Sequence, residues 1–336
     1  MFKKTTRRQN MKLIQRLRVS VCLLTLAFAS WHASAQEDFP KKPIRWIVGY
    51  PAGAASDFVA RTIAHAMSSQ LGQPIIIDNR PGSSGIIAAD AASKAPADGY
   101  TVATVDNGIL IFNTALFKKL PYEPVKDFAP IGLMVRLPML VLSNLESPYA
   151  SIKDVVNAMK KSPGNVSYAT PGVGSPHNLA MEMFKDQNQL FALPIHYRGG
   201  APMVQDLLGR HVDLMVLDIA SSTPILNSRK VRPLVAFSKT RLASLPDVPT
   251  TFELGLGNLE AAAWQGLAVP AATPDAVKRR LSDALFAAVN NPDVRKKLAE
   301  FGAEATPSTA AGMTDLWNKD HQYWFKLIKS RGISAE

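Results

Sequence analysis

The sequence predicts an α/β protein, and three observations carry that prediction. Short apolar runs rich in β-branched residues alternate with helix-like segments nearly throughout. A strand followed by a small-residue loop and a helix start occurs twice, at 44–57 and at 166–176. No internal repeat, low-complexity tract or long flexible linker divides the chain, so two domains within it must share close, strand-like crossovers.

Positions 1–35 read as a leader rather than as part of the fold. Lys3, Lys4, Arg7, Arg8, Lys12, Arg16 and Arg18 stand without an acidic residue, an apolar run follows from Val19 to Ala29, and Ala33-Ser34-Ala35 supplies a small-x-small cleavage site. Cleavage is expected after Ala35, which delivers the mature chain to the periplasm. A membrane anchor needs roughly twenty apolar residues, and this run is about half that. Met11 opens a complete leader of its own, so either Met1 or Met11 serves as a start. Asn10 and Met11 continue poorly from Thr6-Arg7-Arg8 as a twin-arginine signal. The single cysteine, Cys22, sits in the leader's apolar core, so the mature chain has no thiol for a disulfide, nucleophile or metal and depends on a packed core.

The net charge of +11 also belongs largely to the leader. Without its seven cations the chain carries 31 basic and 27 acidic residues, or +4, with no basic cluster interleaved with aromatics. Nucleic acid is therefore not an expected partner. A soluble monomer is.

Strands are expected at 44–50, 74–78, 101–105, 139–143, 166–169, 193–197, 214–217, 232–238 and 263–269, in largely parallel sheets. A helix starting near Ser56 places Val59, Ile63 and Met67 on one stripe and ends at Gly72. Ser175 as N-cap with Pro176 at the first helical position opens a second helix reaching about Asn188. Thr273-Pro274-Asp275 opens a third through Val289, and a last helix runs from about Ala310 to Lys329, stopped by Gly332. The crossovers are expected at 136–140 and 232–237. They give a first lobe of 36–137 with 237–336 and a second of 138–236.

The two strand–loop–helix junctions are the candidate binding elements. In the first, Tyr50, Pro51, Ala52, Gly53, Ala54, Ala55, Ser56 and Asp57 lead straight into the helix. In the second, Thr170, Pro171, Gly172, Val173, Gly174 and Ser175 do the same. A helix start presents unpaired N–H groups and a positive dipole end, so an anion is held without a cationic side chain, and small residues let it approach the backbone. Two such ends facing one another clamp a small organic anion, with micromolar affinity expected, about −8 kcal/mol. Asp57 either answers the positive helix end by itself or meets an amine or a water.

The chain resembles the Bug-type substrate-binding proteins of tripartite tricarboxylate transporters. The resemblance runs through Tyr50-Pro51-Ala52-Gly53, 79–85, 97–100, 120–122, 125–130, Gly174-Ser175, 197–202, 206–209 and 245–250. It implies a two-lobed Venus-flytrap fold of the periplasmic-binding-protein class, type II-like, in which loop amides hold carboxylates, often through waters. It also implies transporter subunits in the membrane as partners and no cofactor. Carried over by position, ligand contact falls on 50–57 and 170–175, with Ser84 and Asp218 as weaker candidates whose alternative roles are turn formation and helix capping. Family members usually have glycine where this chain has Ala54 and often histidine where it has Asn178. These departures allow a ligand other than citrate or an acidic amino acid, and because backbone amides recognise carboxylates generically, dicarboxylates, tricarboxylates, acidic amino acids and aromatic acids all stay open.

Other classes fit less well. Ser175 with His177, or Ser84 in its Pro-Gly-Ser-Ser-Gly turn, does not form the Gly-x-Ser-x-Gly elbow of a hydrolase. His65, His177, His196, His211 and His321 show no metal-ligand spacing. A role as the liganded partner of a membrane sensor stays open beside transport. Trp264 with Gln265 is a candidate to line the cleft, against simple core packing.

Overall fold

The computed structural model describes residues 39–197, 199–257 and 259–335. The expected leader, its alternative start at Met11 and Cys22 lie outside the described residues. All the described elements belong to the compact unit Lys42–Glu336.

The strands, in chain order, are β1 (Ile44–Val48), β2 (Ile75–Asn79), β3 (Thr101–Asp106), β4 (Phe128–Asn144), β5 (Ser167–Thr170), β6 (Leu193–His196), β7 (Leu214–Asp218), β8 (Val231–Ala236), β9 (Ala262–Pro270) and β10 (Glu304–Ala305). They follow the order β2-β1-β3-β9-β4-β7-β5-β6, with β8 and β10 also paired to β4. The sheets are mixed. The outer strands pair in parallel, β1 with β2 and β3, and β5 with β6 and β7. The pairings of β4 and β9 are antiparallel.

β4 links the two lobes. It pairs with β9 from Phe128 to Pro138 and with β7 from Met139 to Ser143. Pro138 has no N–H to give to a ladder, and the change of partner falls beside it. The chain turns back through Phe237, whose N–H donates to Met139 O at 2.9 Å and whose carbonyl accepts from Ala261 N. Between these points, Leu242, Leu245 and Val248 pack with Leu140, Leu142 and Ala236 of the second sheet. Leu242, Leu245 and Val248, which the sequence groups with the first lobe, thus pack against the second sheet.

Local chemistry explains the helices around the site. In Ala55–Leu71, Val59, Ile63 and Met67 are 0–1% exposed. At roughly 1.5–3 kcal/mol per buried apolar side chain, this stripe fixes the helix on the sheet. Gly72 ends it at φ +69°, its N–H donating to Ser68 O, a conformation that needs no Cβ. Pro176–Gln187 begins where expected, as Ser175 Oγ accepts from Asn178 N. Asp275–Asn290 packs against the helix Ala55–Leu71 and β4, and Ala310–Ser330 packs against β4. Trp264 is core rather than cleft: it is 1% exposed and its Nε1 donates to Asp320 at 2.8 Å.

Candidate functional site

A cavity of about 400 Å³ lies between the carboxyl ends of the strands of the two sheets, where ligands of open α/β sheets bind. From the first junction Tyr50, Ala54, Ala55 and Ser56 line it, and Ser84 joins them from the turn after β2. Gly172, Gly174 and Ser175 come from the second junction, with Asp218 from the end of β7. Thr170, Ala52, Gly53 and Asp57 do not line it. Thr170 is buried, with its hydroxyl 3.0 Å from His196 Nδ1, and Ala52 is exposed. Gly53 and Asp57 open instead on a hollow of about 650 Å³ on the other side of the helix Ala55–Leu71.

Asp57 is occupied as a clasp. Its carboxylate accepts from Gly53 N (2.9 Å), Arg61 Nε (2.9 Å) and Asn79 Nδ2 (2.9 Å). Burial alone pushes the carboxyl up, and the bonds from Arg61, Gly53 and Asn79 outweigh it, leaving the group below its ordinary range. The clasp shapes the first loop from behind while the loop's other side faces the cavity.

The two helix starts differ in what they leave free. Ala54 is the N-cap of the first helix and offers no side chain to its amides, so the first N–H groups lack a partner within the helix. At the second, Ser175 Oγ accepts from Asn178 N (3.2 Å) and donates to Gly172 O (2.8 Å), Gly174 N donates to Asn178 Oδ1 (3.0 Å), and Pro176 has no N–H. Asn178 is held in turn by Tyr168, whose hydroxyl donates to Glu182 at 2.6 Å, and Lys185 pairs with the same carboxylate. This buried network positions the second loop.

Sequence reasoning passed over a third strand end. β3 runs out into Asp106, Asn107 and Gly108, all lining the cavity, and Asn113 follows. The signal was available: a polar Asp-Asn-Gly turn directly after a fully buried strand is the place where an α/β sheet presents side chains. Asp106 accepts from the Tyr50 hydroxyl and from Ile109 N (2.7 Å). Burial is the largest influence on it and holds its carboxyl above the ordinary range despite these donors. The same burial, with Asp106 beside it, raises the Tyr50 phenol well above its usual value.

On the second lobe, His177 Nε2 lies 3.2 Å from Asp218 Oδ2, and Ser221 N donates to Asp218 Oδ1 (2.9 Å). Burial would raise Asp218, but His177 and Ser221 prevail and keep it below the usual carboxylate range. Asp218 thus also caps the helix Ile219–Asn227. Gln265 enters from β9, its Nε2 donating to Ser56 Oγ at 2.7 Å. Among the described residues, no lysine or arginine lines the cavity. Among the described residues, no group of three or more His, Cys, Asp or Glu side chains is placed to hold a metal ion, and no helix is long and apolar enough to cross a membrane.

The model of the tripartite tricarboxylate transporter family receptor matches residues 59–333. The chain is 33% identical over 313 residues to the UPF0065 protein in the tcbD-tcbE intergenic region of Pseudomonas sp. strain P51, covering 93% of each. It is 29% identical to Protein BugT of Bordetella pertussis over 304 residues, 89% of this chain and 92% of that one. Among solved structures, R. palustris Rpa4515 with adipate superposes with a TM-score of 0.78 at 31% identity, over 88% of this chain and 99% of the other. MatC from Rhodopseudomonas palustris with bound malate gives 0.74 at 30%, over 86% and 100%. The periplasmic binding protein BugD gives 0.75 at 30%, over 88% and 99%. With two mixed sheets joined through β4 around a cleft built from strand ends, and with these relatives, the chain belongs to the tripartite tricarboxylate transporter receptor family of two-lobed solute-binding proteins.

Proposed function

We propose that this receptor is exported to the periplasm by its leader, closes its two lobes over a small organic carboxylate, acts as a monomer, and delivers the ligand to membrane subunits of a tripartite tricarboxylate-type transporter. The observation that carries the reading is the uncapped start of the helix Ala55–Leu71 at the wall of the interlobe cavity. Its free amides and positive dipole end are suited to a carboxylate, and hydrogen bonds to a charged group contribute about 1.5–3 kcal/mol each. The ligands bound by two relatives, adipate and malate, agree with this class.

The reading assigns no catalysis. Ser175 gives its proton to Gly172 O, while the His177 ring pairs with Asp218, so the serine is engaged as a cap and not by a base. Thermal-shift and calorimetric screening of the processed protein against dicarboxylates, tricarboxylates, acidic amino acids and aromatic acids tests the proposal. Stabilisation by at least one such acid is expected, and stabilisation only by a sugar or a cation would overturn it. Deletion of the gene is expected to abolish uptake of that acid; unchanged uptake with lost gene induction would assign the protein to sensing.

A further inference from the structure

The cavity holds unpaired acceptors where a carboxylate receptor needs donors. Among the described residues four buried side-chain atoms lack a hydrogen-bond partner, and three belong to residues that line this cavity: Asn107 Oδ1, Gln265 Oε1 and His177 Nδ1. The fourth, Asp90 Oδ1, sits in an ion pair with Lys94. Asn107 and Gln265 are 2% and 4% exposed, beyond easy reach of bulk water. Buried polar groups in folded proteins are nearly always satisfied, so a group of orphans in one cavity marks where a partner arrives.

The chemistry of that partner follows from the neighbours. Asn107 Nδ2 donates to Ala262 O at 3.0 Å, and because a carbonyl only accepts, the amide's orientation is set and its oxygen is the free atom. The β3–β9 register places Gln265 opposite Asp106, the residue before Asn107. Two buried carboxylates, Asp106 and Asp218, line the same space, with no lysine or arginine among the described lining residues. Extra negative charge there meets repulsion, whereas a hydroxyl or ammonium donor is welcomed. The donor's position is also constrained: Gln265 is bonded through Nε2 to Ser56 Oγ, and Ser56 stands in the first turn of the helix proposed to hold the carboxylate. The acceptors and the carboxylate seat are thus adjacent.

Resting on the proposed carboxylate function, we propose that the receptor selects acids bearing a donor next to the carboxylate, a 2-hydroxy or 2-amino group, and that Asn107 and Gln265 accept from it. They are specificity residues for the ligand's α-substituent.

Calorimetry on the processed protein with skeleton-matched acids tests this: succinate, malate and aspartate; propionate, lactate and alanine; adipate and 2-aminoadipate. Within at least one set, the substituted acid is expected to bind at least tenfold more tightly than the bare one, about 1.4 kcal/mol. The hydroxy and amino arms tell which donor is taken. In Asn107→Leu and Gln265→Met the substituted-to-bare ratio is expected to fall below about threefold; taken within one preparation, the ratio does not depend on the fraction folded. Bare acids that bind as tightly as substituted ones overturn this inference and leave the carboxylate reading standing. Binding by no acid of any set overturns both.

Discussion

The two strand–loop–helix junctions look alike in sequence and are unlike in the folded protein. The first, at 50–57, has its polar side chain, Asp57, turned to the outer face, where it ties the loop to Arg61 and Asn79, and its helix start is uncapped. The second, at 170–175, is closed upon itself: Ser175 and Asn178 take up the amides and Gly174 lies buried against Leu116. The lesson is a division of labour. An anion seat needs unpaired amides, which the first junction keeps at its uncapped helix start, whereas a wall that closes over a ligand needs a loop of fixed shape, which the second supplies through its buried network.

Substitutions in the paired positions sharpen or break this comparison. The largest effect is expected at the second loop's glycine. Gly174 has φ +67°, and a Cβ there would stand 2.5 Å from Leu116 Cδ1 and Cδ2. Backbone strain and overpacking together predict that Gly174→Ala lowers unfolding free energy by about 3 kcal/mol. Gly53→Ala, at φ +81° with nothing within 4 Å, bears the strain alone and should lose about 1 kcal/mol. Equal losses in urea titrations of the two variants would remove the asymmetry.

His177→Leu comes next, with about 2 kcal/mol lost at pH 7 as the buried Asp218 carboxylate gives up a charge-assisted partner. The sign with pH follows from the lowered Asp218. A carboxyl that is lower in the folded than in the unfolded chain contributes stability above its unfolded value, near pH 4, and loses it as the pH falls through the folded value. Without His177 the largest influence holding the carboxyl down is lost and only Ser221 still opposes burial, so the variant's acid unfolding should begin at higher pH than the parent's. Acid titrations followed by circular dichroism decide this, and coincident curves would count against the pairing.

Smaller again is Ser175→Ala, expected to cost about 1 kcal/mol as the second helix loses its cap. The converse change, Ala54→Ser, should add about 0.5 kcal/mol of stability while weakening carboxylate binding several-fold, because the new hydroxyl competes for the amides that the first helix leaves open. Tighter carboxylate binding by Ala54→Ser would contradict the division of labour.

Much of the framework was legible because it is local. The Val59, Ile63 and Met67 stripe, the Gly72 stop and the Ser175-Pro176 start follow from periodicity and capping, which involve residues a few positions apart. The site was legible in part. Strand alternation puts Trp264 and Gln265 on opposite faces of β9, but which face meets the cleft depends on β3 and β4 at either side, so Trp264 stood as a cleft candidate beside core packing until the sheet was assembled. Asp106 and Asn107 were missed for the same reason: a polar turn after a strand is common, and only its meeting with Tyr50, Ala262 and Gln265 makes it part of a cavity.

By itself the sequence determined the α/β alternation, the glycine-bearing junctions and, through blocks such as 79–85 and 245–250, the family. Tertiary structure alone decided that β4 passes from one sheet to the other beside Pro138, that Asp57 faces away from the cavity, and that the acceptors of Asn107 and Gln265 remain unpaired. The physical reason is range. Helix caps and turns are settled within a few residues, but a cleft and the satisfaction of its polar atoms depend on segments more than a hundred positions apart that meet only when the lobes are packed.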